Sequence, residues 1–403
     1  MSDAKPGCVL IVDDHKTNRM KMAFGIKNLG HTVEMAENGR QALEILRAQA
    51  IDLVLLDIVM PEMDGFQVLE TMKRDKVLRN IPVIVISAET EMEQVVKGIE
   101  LGAEDYLPKS FDPVLFKARV EACLEKKRLR DNEQLYLRGL ERELQIGQRI
   151  QRSFLPDSLP QPPGWEIAAH FQAAKEVAGD FYDAFWLSRQ EKIGVVLGDV
   201  CGKGVGAALF MTLFRSLIRA VANLDDFIHT DLSAAAANNL EPEAVVVEKA
   251  VTLTNNYICH NHQQANMFST LFFGLLDPMT GRMVYTNAGQ EPPLILSSKG
   301  DIHRLDITNP VIGIIPGIKF NIREIWLHPG DTLLAYTDGI TEAFNPEGQM
   351  FSEHRLEALL NKPIASAAAL LELIAASVDT YMGSSNQSDD ITMIAVRRLT
   401  DCN

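Results

Sequence analysis

Hydrophobic and polar positions along the first 125 residues form a regular succession of short apolar runs and amphipathic stretches. Short apolar runs bounded by turn residues are typical of buried strands, and the stretches between them, such as Lys16 to Leu29 and Gly39 to Arg47, have helical spacing. This succession predicts an α/β fold, with a five-stranded parallel, doubly wound sheet and right-handed crossovers. The predicted strands are Val9 to Val12, Thr32 to Met35, Leu53 to Leu56, Val83 to Ile86 and Asp105 to Leu107.

The pattern changes after about residue 160, where strand signals dominate and long helical patterns intervene. Runs of strands with separate helices predict antiparallel sheets flanked by helices, which is an α+β architecture. We predict strands at Trp165 to Phe171, Phe181 to Leu187, Lys192 to Leu197, Phe268 to Leu276, Met283 to Asn287, Pro293 to Leu296, Ile322 to Leu327, Thr332 to Tyr336 and Ile391 to Val396. The predicted helices are Gly206 to Val221, Glu243 to Asn261 and one near Glu353 to Tyr381, and residues 224–241 are predicted to form a mobile surface loop.

A connector rich in Leu, Glu, Arg and Gln lies between these two patterns. No proline interrupts residues 114–154, so a long helix is predicted. Leu137, Leu140 and Leu144 have a spacing of three to four residues, but the register does not continue long enough to establish a coiled coil. Two alternatives therefore stay open, a dimeric signalling helix, which would make the protein a homodimer, and an amphipathic helix packed on its own chain.

Length, charge and cysteine usage limit the classes of protein that fit. A chain of 403 residues favours two or three domains. A net charge of −15 argues against nucleic acid or an anionic membrane as the main partner, because both attract basic patches. Five scattered cysteines favour a reduced, cytoplasmic compartment. No run approaches the ~18 apolar residues of a membrane span, so no membrane segment is expected.

Charged and hydroxyl side chains follow the predicted strands of the first region. Asp13 and Asp14 follow the first strand, Asp57 the third, Ser87 the fourth and Lys109 the fifth. Ligands of such sheets bind beyond the carboxyl ends of the strands, so these groups are expected to meet at one edge. Three carboxylates there would hold Mg²⁺, Asp57 would attack a phosphoryl donor, and Ser87 and Lys109 would bind the phosphoryl oxygens. The alternative for the acid pair alone is that it caps the following helix.

Residues 6–125 resemble the receiver domain of bacterial two-component response regulators. The matching positions are Asp13, Asp14, Asp57 within Leu55-Leu-Asp-Ile-Val-Met-Pro61, Asp64-Gly65, Ser87-Ala88, Tyr106, Pro108 and Lys109. The resemblance implies that a sensor histidine kinase or a phosphotransfer protein phosphorylates Asp57. It also implies that Ser87 then moves toward the phosphoryl group and that Tyr106 turns inward.

Aspartates beside glycines mark the ends of predicted strands in the second region. They occur in Val177-Ala-Gly-Asp-Phe-Tyr-Asp183, Val195-Val-Leu-Gly-Asp-Val-Cys-Gly-Lys-Gly204, Tyr336-Thr-Asp-Gly339 and Ser388-Asp-Asp-Ile-Thr392. Dispersed carboxylates at positions where glycine lets backbones come close suit hard divalent ions. We interpret Asp180, Asp199, Asp338 and Asp389 as a two-metal hydrolytic site, although any one of them alone could be an ordinary turn aspartate.

These motifs, with Asn287-Ala-Gly289 and Gln148-x-x-Ile-Gln-x-x-Phe-Leu-Pro156, resemble the metal-dependent, PP2C-like protein phosphatase superfamily in its bacterial branch. The resemblance covers residues 150–400 and implies a β-sandwich flanked by helices with two Mn²⁺ or Mg²⁺ ions. It implies that Asp199 bridges both ions with the Val200 carbonyl as a further ligand. Asp338 and Asp389 would then hold one ion and Asp180 the other, and Asp183 and Asp390 would orient ligands or water.

Two features depart from the superfamily pattern. Eukaryotic members carry a histidine acid and a phosphate-binding arginine near these motifs, whereas here no such histidine follows Val200 and Lys175 is the only nearby base identified, so the general acid is unassigned. Gln290-Glu291 stands where relatives often have His-Asn, which could alter substrate fit.

The sequence therefore predicts a receiver domain at 6–125, a helical connector at 126–160 and a phosphatase domain at 161–400. The predicted function is a response regulator whose output is a Ser/Thr protein phosphatase, and the resemblance implies a phosphorylated anti-sigma-factor antagonist as substrate. The alternative is an adaptor that binds a sigma factor or its regulator without turnover. The retention of all four carboxylates favours the enzyme, because two-metal hydrolysis needs these ligands.

Overall fold

The structure of the chain is a computed structural model that describes residues 6–87, 92–187, 191–224, 241–361 and 364–400, except for the side chain of Met92. The chain divides into two compact units, Met1–Glu141 and Arg142–Asn403. Ala88 and most of the predicted mobile loop at 224–241 lie outside the described residues, so that loop stays a prediction.

The first unit contains a parallel five-stranded sheet with the strand order β2-β1-β3-β4-β5. Its strands are β1 (Cys8–Val12), β2 (Thr32–Ala36), β3 (Leu53–Asp57), β4 (Val83–Ser87) and β5 (Asp105–Pro108). The helices are α1 (Lys16–Asn28), α2 (Gly39–Ala48), α3 (Gly65–Arg74), α4 (Met92–Glu100) and the beginning of α5 (Pro113–Arg152). All five strands were predicted within one or two residues, and the predicted doubly wound fold is confirmed.

Each face of this sheet is covered by helices, and each covering forms its own core. Leu46 of α2 and Val68 of α3 pack against one face. Met22 of α1 and Phe116 of α5 pack against the other. Because both faces are buried, β1, β3 and β4 read as almost continuous apolar runs, as is typical of parallel strands.

The second unit contains two five-stranded antiparallel sheets with the orders β13-β10-β9-β8-β7 and β12-β11-β14-β15-β6. The strands are β6 (Trp165–Gln172), β7 (Phe181–Leu187), β8 (Lys192–Val200), β9 (Ser269–Leu276), β10 (Arg282–Ala288), β11 (Leu294–Leu296), β12 (Ile302–Arg304), β13 (Arg323–Trp326), β14 (Thr332–Tyr336) and β15 (Ile391–Arg398). The helices are α6 (Val205–Ala222), α7 (Pro242–Asn261), α8 (Ser352–Leu360) and α9 (Ala367–Met382).

The two sheets pack face to face and are covered on their outer faces by helices. The inner core joins residues of both sheets, such as Val195 of β8 and Ile394 of β15. Phe214 of α6 and Val251 of α7 pack with the outer face of the first sheet. The outer face of the second sheet packs with α8 and α9. The predicted β-sandwich flanked by helices is therefore confirmed.

The connector is one helix, since α5 continues without interruption from Pro113 to Arg152. Its 40 residues cross the predicted boundary at 125/126, where the sequence pattern changes but the helix does not. Apolar side chains are exposed from Leu129 onward in the single chain, namely Leu129, Leu135, Tyr136, Leu137, Leu140, Ile146 and Ile150. The coiled coil and the dimer stay predictions.

Three details of the second unit differ from the sequence expectations. The helix predicted at Glu353 to Tyr381 is two helices, α8 and α9, and Ser366 caps the second by accepting a hydrogen bond from the Ala369 amide. The short edge strand β12 was missed because only one of its three residues is even partly buried. Helix α6 has the length and composition of a membrane span, contrary to expectation, but its buried residues belong to a protein core.

Candidate functional site

The first candidate site lies at the carboxyl edge of the parallel sheet. Asp13 directly follows β1, Asp57 is the last residue of β3, Ser87 is the last residue of β4 and Lys109 directly follows β5. The Lys109 ammonium lies 2.7 Å from the Asp57 carboxylate, which is 1% exposed. Burial raises the pKa of Asp57, the ion pair with Lys109 opposes this rise, and the charge of Asp13 adds to it. The structure thus brings together residues that are 52 positions apart in the chain.

The acid pair at this edge forms a group of potential metal ligands. Within the described ranges, Asp13, Asp14 and His15 are the only three such residues whose ligand atoms all lie within 4.8 Å of one another. Asn18 donates a hydrogen bond of 3.1 Å to Asp13, and Arg19 donates to the Asp13 and Asp14 carbonyls. Oxygen ligands next to the buried Asp57 fit the requirements of Mg²⁺. His15, Asn18 and Arg19 were not identified from the sequence.

Tyr106 lies on β5 and is half-buried. It packs against the core formed with α2 and α3, and the guanidinium of Arg119 lies over its ring at 5.3 Å. The inward turn of Tyr106 stays a prediction.

The second candidate site lies where four strand ends meet in the antiparallel unit. Asp180 directly precedes β7, Asp199 is close to the end of β8, Asp338 lies two residues after β14, and Asp389-Asp390 directly precedes β15. Because β7 and β8 are antiparallel, the beginning of one lies beside the end of the other, and Phe181 pairs with Gly198. The same rule places the end of β14 beside the start of β15, where Tyr336 pairs with Met393.

Hydrogen bonds between the sheets hold this edge together. The Thr337 hydroxyl donates to the Asp180 carboxylate at 2.8 Å and accepts from the Thr392 amide at 3.0 Å. Asp390 accepts from the Ala174 amide at 2.8 Å and from the Gly179 amide at 2.7 Å. Asp390 therefore holds the segment that carries Asp180, and its role in orienting metal ligands or water stays a prediction. Thr337 was not identified from the sequence.

A close backbone contact at Gly339 makes the meeting of these strands possible. A Cβ atom at this position would lie 2.0 Å from the Asp390 carbonyl oxygen, far inside van der Waals contact. At Gly179, a Cβ atom would lie 2.8 Å from the Val200 carbonyl oxygen. Glycine is required at both positions because any larger residue would push the aspartates apart.

The pKa values of the aspartates at the second site show that their negative charges are not fully balanced. Burial, Asp199 and Asp390 hold the pKa of Asp180 well above its usual value. Burial and the charge of Asp338 raise the pKa of Asp199 to about 7, although contact with Asp180 opposes the rise. Burial raises the pKa of Asp338 as well. Carboxylates that repel one another in this way would be relieved by divalent cations, and their oxygen atoms suit Mn²⁺ or Mg²⁺.

One cation was missed by the sequence analysis. The Lys203 ammonium lies 2.8 Å from the Asp389 carboxylate and donates to the Ser388 carbonyl at 2.5 Å. Lys203 thus corrects the expectation that Lys175 is the only base near these motifs. The glycines on both sides of Lys203 have φ values of 89° and 84°, so the loop takes a conformation that favours glycine.

Two other residues have contacts that the sequence did not predict. Asp183 pairs with Arg215 at 2.9 Å and with Arg219 at 3.1 Å, so its contacts run to α6. Gln290 is 2% exposed, and its amide donates to the Tyr336 carbonyl and accepts from the Thr270 hydroxyl. Gln290 therefore joins the two sheets, and an effect of Gln290-Glu291 on substrate fit stays a prediction.

Comparison with known proteins identifies both regions. A protein-family model described as "Stage II sporulation protein E (SpoIIE)" matches residues 189–399, and one described as "Response regulator receiver domain" matches residues 9–121. The chain belongs to the Stage II sporulation protein E family and carries a response regulator receiver domain in its first unit.

Individual relatives agree with these matches. Protein IcfG of Synechocystis sp. is 42% identical over 264 residues, which are 64% of this chain and 41% of that protein, so the match spans less than half of the relative. Phosphoserine phosphatase RsbU of Bacillus subtilis is 25% identical over 65% of this chain and 73% of that protein. The solved SiaA-PP2C domain of Pseudomonas aeruginosa superposes with a TM-score of 0.50 at 20% identity, covering 65% of this chain and 98% of that one, which shows a shared fold.

Proposed function

We propose that the chain is a response regulator in which phosphorylation of Asp57 controls a metal-dependent Ser/Thr protein phosphatase. The observation that carries the proposal is the meeting of Asp180, Asp199, Asp338 and Asp389 at one edge of the sandwich, with burial and mutual repulsion acting on their charges. A cluster of this kind stores electrostatic repulsion that divalent cations relieve.

Each carboxylate has a role in this proposal. Asp199 would contribute to holding both ions, with the Val200 carbonyl as a further ligand, Asp180 would hold one ion, and Asp338 and Asp389 would hold the other. Two bound Mn²⁺ or Mg²⁺ ions would supply an activated water nucleophile and Lewis-acid stabilisation of the phosphoryl group. Asp390 positions the segment before Asp180 through its two backbone hydrogen bonds. The role of Asp183 stays a prediction, since its contacts run to Arg215 and Arg219.

The receiver site accepts the signal. Asp13, Asp14 and Asp57 would hold Mg²⁺, and Asp57 receives a phosphoryl group from a sensor histidine kinase or a phosphotransfer protein. Lys109, already 2.7 Å from Asp57, neutralises phosphoryl oxygens, and Ser87 donates a hydrogen bond to them. Tyr106 repacks inward when Ser87 moves.

The proposed substrate is a phosphoserine or phosphothreonine of a small regulatory protein similar to an anti-sigma-factor antagonist. The similarity to RsbU, whose name describes a phosphoserine phosphatase, supports this substrate class. The acidic charge of −15 and the scattered cysteines support a cytoplasmic protein with neither nucleic acid nor membrane as its main partner.

An adaptor without turnover is the second candidate, and two observations favour it. Lys203 pairs with Asp389, and no three carboxylates of this cluster lie within 4.8 Å of one another in the described chain. The enzyme explains the same spread, because ligands shared between two ions and water need not crowd around one centre. The retention of all the carboxylates favours the enzyme.

Hydrolysis of an aryl phosphate with and without Mn²⁺ tests the proposal. We expect Mn²⁺-dependent turnover by the full chain and a loss of at least about 1,000-fold in Asp199→Asn, because several kcal/mol of transition-state stabilisation disappear with the bridging ligand. Asp301→Asn, on the β11–β12 turn, is the control and should keep its activity. Equal rates in wild type and Asp199→Asn, or no turnover in either, would instead support the adaptor.

A further inference from the structure

The segment from residue 173 to residue 180 has no regular secondary structure, although it ends on a proposed metal ligand. Val177, Ala178, Gly179 and Asp180 are all buried. Buried amides and carbonyls outside helices and sheets need other hydrogen-bond partners. The positions of these partners therefore decide where Asp180 lies.

The end of α5 supplies one set of partners. The Gln151 side chain donates to the Ala178 carbonyl at 2.6 Å and accepts from the Ala178 amide at 3.0 Å. Gln151 is 6% exposed, so these hydrogen bonds are shielded from water. Gly147, one turn earlier on α5, lies beside Val177. The last turns of α5 thus contact the segment at consecutive residues.

Asp390 supplies a second set of hydrogen-bond partners for this segment, because its carboxylate accepts from the Ala174 and Gly179 amides. The two residues that hold the segment, Gln151 and Asp390, differ in their position in the fold. Asp390 belongs to the aspartate cluster itself, whereas Gln151 lies on the connector helix, 27 residues before the backbone it binds. Loss of Gln151 would leave Ala178 without either of its side-chain hydrogen bonds, only two residues from Asp180.

We propose that Gln151 is a positioning residue that sets the affinity of the Asp180 site for its divalent ion by clamping the Ala178 backbone. The inference rests on the proposed function, since it assumes that Asp180 holds a metal ion. Gln151 touches neither the ion nor the substrate in this proposal. It acts through the backbone, as groups that orient metal ligands do.

Equilibrium binding of Mn²⁺, followed by the electron paramagnetic resonance signal of free Mn²⁺, tests this role without substrate. The full chain is used in an Asp13→Asn background, which removes the receiver's metal site. The test variant is Gln151→Met, which keeps the side-chain volume and loses both hydrogen bonds. Gln151→Asn is the second variant, because its amide is one methylene too short to reach both groups, and melting curves in EDTA show that each variant is folded.

A matched control is present in the same unit. Gln161 clamps Ile167 with the same pair of hydrogen bonds, at 2.6 and 3.2 Å, but Ile167 lies within β6 and precedes no metal ligand. We expect Gln151→Met and Gln151→Asn to weaken Mn²⁺ binding by about tenfold or more, as removal of groups that orient ligands does, and Gln161→Met to leave it unchanged. With Mn²⁺ at saturation, KM for the aryl phosphate should stay at the wild-type value.

The outcomes separate this inference from the proposed function. Unchanged Mn²⁺ affinity in the folded Gln151 variants, or equal weakening in Gln161→Met, would overturn the role of Gln151 alone. If the wild-type protein binds Mn²⁺ but hydrolyses nothing, the proposed phosphatase activity is wrong. The positioning role of Gln151 can still be tested in that case, because it is measured by Mn²⁺ binding. Absence of Mn²⁺ binding at this site in the wild type would overturn both.

Discussion

The two acidic sites of this chain handle their negative charge differently. In the receiver unit, Asp57 is paired directly with Lys109 at 2.7 Å, so the proposed phosphoacceptor already has a cationic partner. In the second unit, Asp180, Asp199 and Asp338 repel one another, and the nearby ammonium of Lys203 pairs with Asp389. The two sites thus differ in how far a neighbouring lysine balances the charge of their buried carboxylates.

The two sites also bring their aspartates together by different topologies. In a parallel sheet the carboxyl ends of all strands lie at the same edge, so the strand order alone brings the residues of the receiver site together. The second site needs strand beginnings as well as strand ends, taken from two sheets that pack together. Its geometry therefore depends on contacts such as the Thr337–Asp180 hydrogen bond, which joins residues 157 positions apart.

The largest expected effect separates the two sites by function. Asp57→Ala should abolish the response of phosphatase activity to acetyl phosphate, because the acceptor is gone, and should leave Mn²⁺ binding at the second site intact. Asp199→Asn should have the opposite effect and remove hydrolysis while Asp57 is still phosphorylated. Stimulation by acetyl phosphate that persists in Asp57→Ala would contradict the receiver assignment.

An Asp-Gly pair that occurs at both sites gives the next prediction. A Cβ atom at Gly65 would lie 2.4 Å from the Asp57 carbonyl oxygen, and one at Gly339 would lie 2.0 Å from that of Asp390. Gly339→Ala should weaken Mn²⁺ binding by more than about tenfold, since the strands must separate, whereas Gly65→Ala should slow phosphorylation of Asp57 instead. Gly206→Ala is the control, because its Cβ atom meets open space. Equal losses at both sites from either substitution would show that the sites are not independent.

The remaining prediction is a pH dependence of the second site. Burial and Asp338 raise the pKa of Asp199 to about 7, and the pKa of Asp180 is raised as well, so protons must leave before a metal ion binds. Mn²⁺ affinity should rise with pH through pH 7, by up to about tenfold per pH unit for each proton released. The metal-free folded unit holds a proton that the unfolded chain releases, so its stability should fall as pH rises from about 4 to 7. Titration calorimetry and melting curves over this range measure both trends, and flat profiles would contradict the repulsion.

The sequence determined the elements of this protein because their signals are local. Apolar runs such as Val9 to Val12 and amphipathic stretches such as Gly39 to Arg47 identify buried strands and helices from neighbouring residues alone. Aspartate beside glycine at strand boundaries marked the candidate site residues for the same reason. The long connector helix was also readable, since no proline interrupts α5 after its first residue.

Only the tertiary structure decided which side chains meet. Gln151 on Ala178, Gln290 between the sheets, Arg215 on Asp183 and Lys203 on Asp389 are all contacts over long sequence distances. The sequence pattern does not predict any of these pairs, because nothing in the local sequence around either residue indicates its partner. Their pairing is fixed by the packing of helices and sheets, which buries their polar groups and makes an unpaired one costly.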